Sequence, residues 1–236
     1  MDKRVTDVDW HQSKVVGARS LVEAAYELIR HDVLNGDLRP GMKLRFEMLR
    51  ERYNVGASTL REALTRLVGE ALVTSEEQRG FRVADVSLDD FTDLTAARKM
   101  IEVEALRQSI MLGTDAWEGA LVGSFHRLTK VEERLADGEE DLRDEFEERN
   151  RDFHFTLIAA CPSRWLKYMH GILFHQAERY RRIALASRIE PRDVHAEHKA
   201  VLDAVLARDI DLACRLEAEH IDRTLEHLRR TFAAKK

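Results

Sequence analysis

Ala57-Ser58-Thr59-Leu60-Arg61-Glu62-Ala63-Leu64-Thr65-Arg66-Leu67 is the stretch on which the fold turns. Leu60, Ala63, Leu64 and Leu67 recur at helical spacing, so one face of this segment is apolar and packs on a neighbour. The opposite face carries Ser58, Thr59 and Arg61 at its N-terminal end. Short polar groups and an arginine there suit entry into the major groove, where each base pair shows its own donor and acceptor pattern. Many solvated surface helices have the same look, so the segment needs its context. Ser58 or Ala57 lies near the helix start, where a hydroxyl can accept from the free first-turn amides.

The context is supplied on both sides. Upstream, Phe46 to Tyr53 reads as a short helix, and Asn54-Val55-Gly56 breaks it from the next one, which runs from Ser58 to Glu70. Further upstream Leu21, Ala24, Ala25, Leu28, Ile29 and Val33 mark another helix, closed by Asn35-Gly36 and followed by a Pro40-Gly41 turn. Downstream, residues 71–74 and 81–84 are short extended pieces joined by a loop ending in Gly80, the pattern of a hairpin. Three helices and a hairpin in so short a span match a winged helix-turn-helix.

After Val86 the pattern changes. Ser87-Leu88-Asp89-Asp90 opens a helix with acidic residues placed for its dipole. From there only helices are predicted, over 88–112, 115–137, 141–161, 163–186, 193–208 and 209–232, with breaks at Gly113-Thr114, Gly138, Pro162-Ser163 and Pro191. The fold class is therefore mainly α. It comprises a flexible N-terminal arm at 1–19, a winged helix-turn-helix at 20–86 and an all-α helical bundle at 87–236.

Composition agrees. The 236 residues are 44% hydrophobic and 34% charged, with three prolines and eleven glycines, as in a helix-rich globular protein. No apolar run is long enough to span a membrane, and the N-terminus lacks the apolar core of a signal peptide. Cys161 and Cys214 form no CxxC pattern and read as buried reduced thiols, so a cytoplasmic location with no membrane partner is expected. The net charge is −5, yet residues 1–86 carry 14 basic and 14 acidic side chains, which puts the whole excess in the C-terminal part. Lys43, Arg45, Arg50, Arg52, Arg61 and Arg66 cluster in one short stretch with Glu47, Glu51 and Glu62 interleaved. That cluster is either a nucleic-acid face or an ordinary solvated face, and charge alone does not decide.

Ten histidines are present. Asn150 and His154 are four residues apart and share a helix face, while His198 and His220 fall on two other helices. A bundle can bring such residues to one point, as helical metal sites do. Spacing alone favours the plainer alternative, a hydrogen-bonded histidine at each place.

Gly36-Asp37-Leu38-Arg39-Pro40-Gly41-Met42-Lys43-Leu44, then Leu49-Arg50-Glu51-Arg52-Tyr53-Asn54-Val55, Leu60 through Leu67, Glu70-Ala71-Leu72-Val73 and Gly80-Phe81-Arg82-Val83 resemble the GntR family of bacterial regulators over nearly the whole head. The resemblance implies DNA contacts from Arg45, Ser58, Thr59, Arg61 and the wing glycine Gly80. Many members have an arginine where this chain has Ala57, which removes one expected base contact. Arg98 to Glu102, Asp152-Phe153-His154, Glu197-His198 and His220-Ile221 are similar to the FadR-type (FCD) branch of that family. This implies a divalent metal bound by Asn150, His154, His198 and His220 beneath a cavity for small carboxylates. Asn150 stands where aspartate is commoner, and its neutral amide is a weaker ligand. Three imidazoles suit zinc or nickel.

Arg98 is a candidate grip for an effector carboxylate, because arginine forks onto carboxylates in two bonds. A surface pair with Glu102, four residues on, is its alternative role. His175 and Arg179 are further effector candidates. Gln78 to Ala84 and Trp117 to Val122 are also similar to the glutarate-responsive carbon-starvation regulators. The implied function is a dimeric regulator, a repressor, that binds a pseudo-palindromic double-stranded operator and responds to a small organic acid. A metal-only sensor and a metal-dependent enzyme are the alternatives. The enzyme reading fails for want of a general base, since Glu197 and Glu219 point away from the histidines beside them in sequence.

Overall fold

A computed structural model describes residues 20–76, 80–139, 142–186 and 192–233. The expected arm at 1–19 lies outside the described residues. The chain divides into two compact units between Val86 and Ser87.

In the first unit, α1 (Leu21–Asn35) starts on Ser20, whose hydroxyl accepts from the Glu23 N–H at 3.1 Å, and stops at Gly36, which adopts a φ of +82°. A two-residue strand β1 (Lys43–Leu44) leads into α2 (Phe46–Tyr53). Asn54, in the left-handed region at φ +51°, turns the chain into α3 (Ala57–Gly69). Strands β2 (Val73–Glu76) and β3 (Gly80–Val83) complete an antiparallel sheet of order β1-β3-β2, with Leu44 opposite Phe81 and Ser75 opposite Phe81 on its other side.

The core joins Ile29, Leu38 and Leu49 to Leu60, Leu64 and Leu67 of α3, all fully buried. Full burial of each large aliphatic side chain stabilises the unit by about 1.5–3 kcal/mol. Buried Asp32 ties α1 to α2. It accepts from Arg52 Nε at 2.8 Å and from the Tyr53 hydroxyl at 2.7 Å.

Three local expectations are corrected. The cap of α3 is Gly56, with no side-chain capping bond, so Ser58 sits inside the first turn with its hydroxyl outward. The hairpin strands lie at 73–76 and 80–83 rather than 71–74 and 81–84, because Leu72 turns in to the core and bonds Ala84 through its carbonyl. The sheet also gains β1, which was not expected.

The second unit is helical throughout its described residues. It contains α4 (Leu88–Leu112), α5 (Asp115–Ala136), α6 (Arg143–Leu157), α7 (Arg164–Ala186), α8 (Val194–Leu206) and α9 (Ile210–Ala233). Helix α4 packs on α7 and α9, α5 on α6 and α8, and α9 also on α8 and α7. Helix α6 ends four residues earlier than the expected 161. The chain tightens through Ala159 N–H to Thr156 C=O and Cys161 N–H to Ile158 C=O bonds before Pro162, which disfavours helix in the residue preceding it. No helix among the described residues is long and apolar enough to cross a membrane.

Candidate functional site

Two sets of side chains carry chemistry, one in each unit. In the first, α3 buries Leu60, Ala63 and Leu64 and leaves Ser58 and Arg61 exposed with Thr59 half-buried. Arg45 is exposed at the start of α2, and Arg61 rests over the Phe46 ring at 5.4 Å. Gly80 opens β3 with a φ of +91°, a conformation in which any side chain is strained.

The six clustered cations separate into two kinds. Arg52 is bound to Asp32 at 2.6 Å, and Arg66 to Glu23 at 2.8 Å while lying 4.0 Å over Tyr26. Lys43, Arg45, Arg50 and Arg61 are exposed, and among the described residues no carboxylate pairs with them. The interleaved glutamates therefore form no ion pair with this group among the described residues. Four cations with their donors open are suited to phosphates and base edges.

In the second unit α6, α8 and α9 bring His154, His198 and His220 together, all buried, with one ring nitrogen of each within 4.8 Å of the others. The ring centroids are 5.4, 5.3 and 4.7 Å apart. Asn150 is buried one turn before His154 on α6.

Each imidazole turns Nδ1 to a glutamate. His198 Nδ1 is 3.0 Å from Glu132 Oε1, His220 Nδ1 is 2.8 Å from Glu197 Oε2, and His154 Nδ1 is 3.2 Å from Glu217 Oε1. The first two are well-formed hydrogen bonds; the third pair is close but poorly aligned. Arg192 clamps Glu197 with bonds of 2.9 and 2.5 Å. His195 shares Glu132 at 2.7 Å. Carboxylates that fix one nitrogen and leave the other are the usual surroundings of metal-bound histidines.

The residues fit a divalent ion on two counts. His198 Nε2 is buried and has no partner among the described residues, which is costly for a polar atom unless something satisfies it. Burial, reinforced by the neighbouring His198, holds His154 and His220 well below the usual histidine pKa, so both are in the neutral form that donates to a metal. His154, His198 and His220 would be the residues that hold such an ion.

The effector candidates are placed differently. Arg98 is buried, and Glu102 accepts from its Nε at 2.6 Å and from its second arm at 3.1 Å, so the surface pair expected as its alternative is an interior one. Glu102, His154, His170 and Glu217, with Leu106, Leu157 and Ile158, line a space too narrow for a water molecule. His175 is half-buried near Phe155, with ring centroids 6.1 Å apart. Arg179 donates to Asp90 at 3.2 Å, near the start of α4. Tyr180 donates to the same carboxylate, and its oxygen accepts from the Ser87 N–H at 3.4 Å. Arg179 is thus engaged at the beginning of the unit.

Comparison with known proteins agrees with both halves. The family model described as bacterial regulatory proteins, gntR family, matches residues 21–83, and the FCD domain model matches residues 93–223. The chain belongs to the GntR family. It is a DNA-binding transcriptional regulator with an FCD effector-binding domain, and not an enzyme. It is similar to the HTH-type transcriptional regulator BphR of Paraburkholderia xenovorans, with 42% identity over 91% of this chain and 88% of that protein. It is also similar to the HTH-type transcriptional repressor GlaR of Escherichia coli, with 36% identity over 83% of this chain and 90% of that one. Among solved structures, E. coli McbR/YncC superposes with a TM-score of 0.72 at 20% identity, covering 90% of this chain and 99% of that one, which shows a shared fold.

Sequence reasoning about this GntR chain missed Glu132 and Glu217, which lie on other helices from the rings they face. It dismissed Glu197 because it adjoins His198. Glu197 does turn away from His198, and in doing so reaches His220 on α9. A glutamate three residues before His220 was the one available signal, since it places a carboxylate on the inward face of α9.

Proposed function

We propose that the chain is a homodimeric cytoplasmic repressor whose operator affinity is set by a small organic acid bound beside a divalent metal, zinc or nickel, in the helical unit. The observation that carries the reading is the convergence of three buried imidazoles, each with a glutamate at Nδ1, inside an effector-binding domain. His154, His198 and His220 would hold the ion with Asn150, and the ion would supply the positive charge that a buried carboxylate requires. Arg98 would take a second carboxylate once Glu102 releases it. Arg45, Ser58, Thr59, Arg61 and Gly80 would meet a pseudo-palindromic operator. One recognition helix covers too little DNA for useful specificity, so two copies are needed. Exposed Met100 and Met111 on one face of α4, and exposed Trp165 and Tyr168 on α7, are the apolar groups a second copy would cover.

A second reading has its own support. The space beside His154 is closed to water and the Arg98 fork is already filled by Glu102, which favours metal alone as the signal. Calorimetric titration of dicarboxylates, glutarate included, into zinc-loaded protein, metal-free protein and His198→Ala protein separates the two. The leading reading expects acid binding only in the zinc-loaded parent. Equal acid affinity in all three preparations refutes it. Absence of acid binding, with zinc alone changing operator affinity, selects the metal-only sensor.

A further inference from the structure

The proposed ligand set contains three neutral imidazoles and one amide, so it has no negative charge of its own. Burying a divalent cation among neutral donors is unfavourable unless carboxylates stand near. Of the three glutamates facing the rings, Glu197 is neutralised by Arg192. Glu132 is satisfied by two histidines, His195 Nδ1 at 2.7 Å and His198 Nδ1 at 3.0 Å.

Glu217 is different. It is fully buried on α9, three residues before His220, where an apolar residue would pack without penalty. Its Oε1 is 3.2 Å from His154 Nδ1, and its Oε2 has no hydrogen-bond partner among the described residues. Glu102 lies within 4.8 Å, but that carboxylate is held by Arg98. A buried acid so poorly satisfied is costly to ionise unless a cation stands near it, and such a group needs a reason to be there.

We propose that Glu217 is a positioning residue of the metal site, which accepts the Nδ1 proton of His154 and supplies the negative charge that Asn150 does not. The inference rests on the metal reading above. A small rotation of the His154 ring aligns the Nδ1–H with Oε1 and commits Nε2 to the point shared with His198 and His220. The arrangement then has a carboxylate behind every ring, and the charge lost from the ligand set at position 150 is restored from the far side of His154.

The test is zinc affinity of the full-length protein, read by competition with a chromogenic chelator, for the parent, Glu217→Gln, Asn150→Asp and the double variant. His198→Ala serves as the ligand control, and metal-free melting curves check that each variant folds. Glu217→Gln is expected to weaken zinc binding 10–100-fold, the usual effect of losing a carboxylate behind a ligand histidine. Asn150→Asp in that background is expected to recover most of the loss, while in the parent it adds less. Unchanged affinity in Glu217→Gln overturns the proposal, and so does a loss that Asn150→Asp leaves in place. Should Glu217→Gln not fold, a gain of tenfold or more from Asn150→Asp alone overturns it, because the charge was then missing. If the parent binds no zinc, the metal reading falls and this inference with it. If zinc is lost in His198→Ala but retained in Glu217→Gln, only this inference falls.

Discussion

Arg61 and Arg66 lie five residues apart on α3, and the structure gives them opposite roles. Arg66 is bound to Glu23 at 2.8 Å and stacks 4.0 Å over Tyr26, which links α3 to α1. Arg61 is exposed, has no carboxylate partner among the described residues and rests over the Phe46 ring at 5.4 Å. Replacing Arg61 with alanine therefore removes little from the fold, about 0.5–1 kcal/mol for an exposed cation–π contact. If Arg61 reads a base edge, the same change costs about 1–3 kcal/mol per half-site and relaxes specificity at that position. In a dimer both half-sites lose the contact, so operator affinity falls by about 2–6 kcal/mol while non-specific binding is nearly kept. Arg66→Ala should do the reverse. It loses an exposed ion pair and a stacked ring, about 1–2 kcal/mol of stability together, with little change in specificity. Fluorescence anisotropy on operator and scrambled DNA, paired with denaturant unfolding of each variant, measures both quantities. Operator affinity unchanged in Arg61→Ala, or lost equally in both variants, refutes the division of the cations into free and tied.

Three further outcomes follow from the same geometry. His154 and His220 fold with pKa values held well below 6.5 by burial, so below that pH the unfolded chain takes up protons that the native chain does not; metal-free stability should be full above about pH 6.5 and fall by about 1.4 kcal/mol per histidine per pH unit below it, and a flat profile between pH 7 and 5.5 in chemical denaturation contradicts this. Tyr180→Phe keeps the stacking on Phe91, at 4.3 Å, but removes the hydroxyl that donates to Asp90 and meets the Ser87 N–H; it should cost about 1 kcal/mol in unfolding free energy, and no loss would show that the bond contributes nothing. Trp165→Asp places a charge on the exposed apolar face of α7 and should shift light-scattering mass from dimer to monomer with the far-ultraviolet helical signal intact, whereas an unchanged dimer places the interface elsewhere.

The parts of the fold governed by local rules were legible in the sequence. The apolar period of Leu60, Leu64 and Leu67, the Asn54 turn and the helix start at Ser87 to Asp90 each act within a few residues, and each acts in the structure as the sequence suggests. Strand β1 was not legible because two residues carry no alternation, and its existence depends on β3 some 40 residues later. The convergence of His154, His198 and His220 was suggested by resemblance rather than by spacing, since three helices must pack before the rings meet. The glutamates behind them are a step further removed. Glu132 on α5 reaches His198 on α8 across 66 positions, and no local pattern in the sequence encodes such a pairing. Arg98 shows the converse case. Its spacing from Glu102 was plain, but only packing against α7 shows that the pair is buried and already satisfied.

In the proposed mechanism, occupancy of the histidine site by metal and acid changes the grip of the head on DNA. Operator affinity, measured by anisotropy at fixed salt in metal-free, zinc-loaded and zinc-plus-acid states of the parent and of His198→Ala, reads this coupling. Acid should weaken operator binding by about 5–150-fold in the zinc-loaded parent, the usual range of coupling between two sites, and have no effect on metal-free protein or on His198→Ala. An acid response of equal size in His198→Ala, or one operator affinity across all states of the parent, would contradict it.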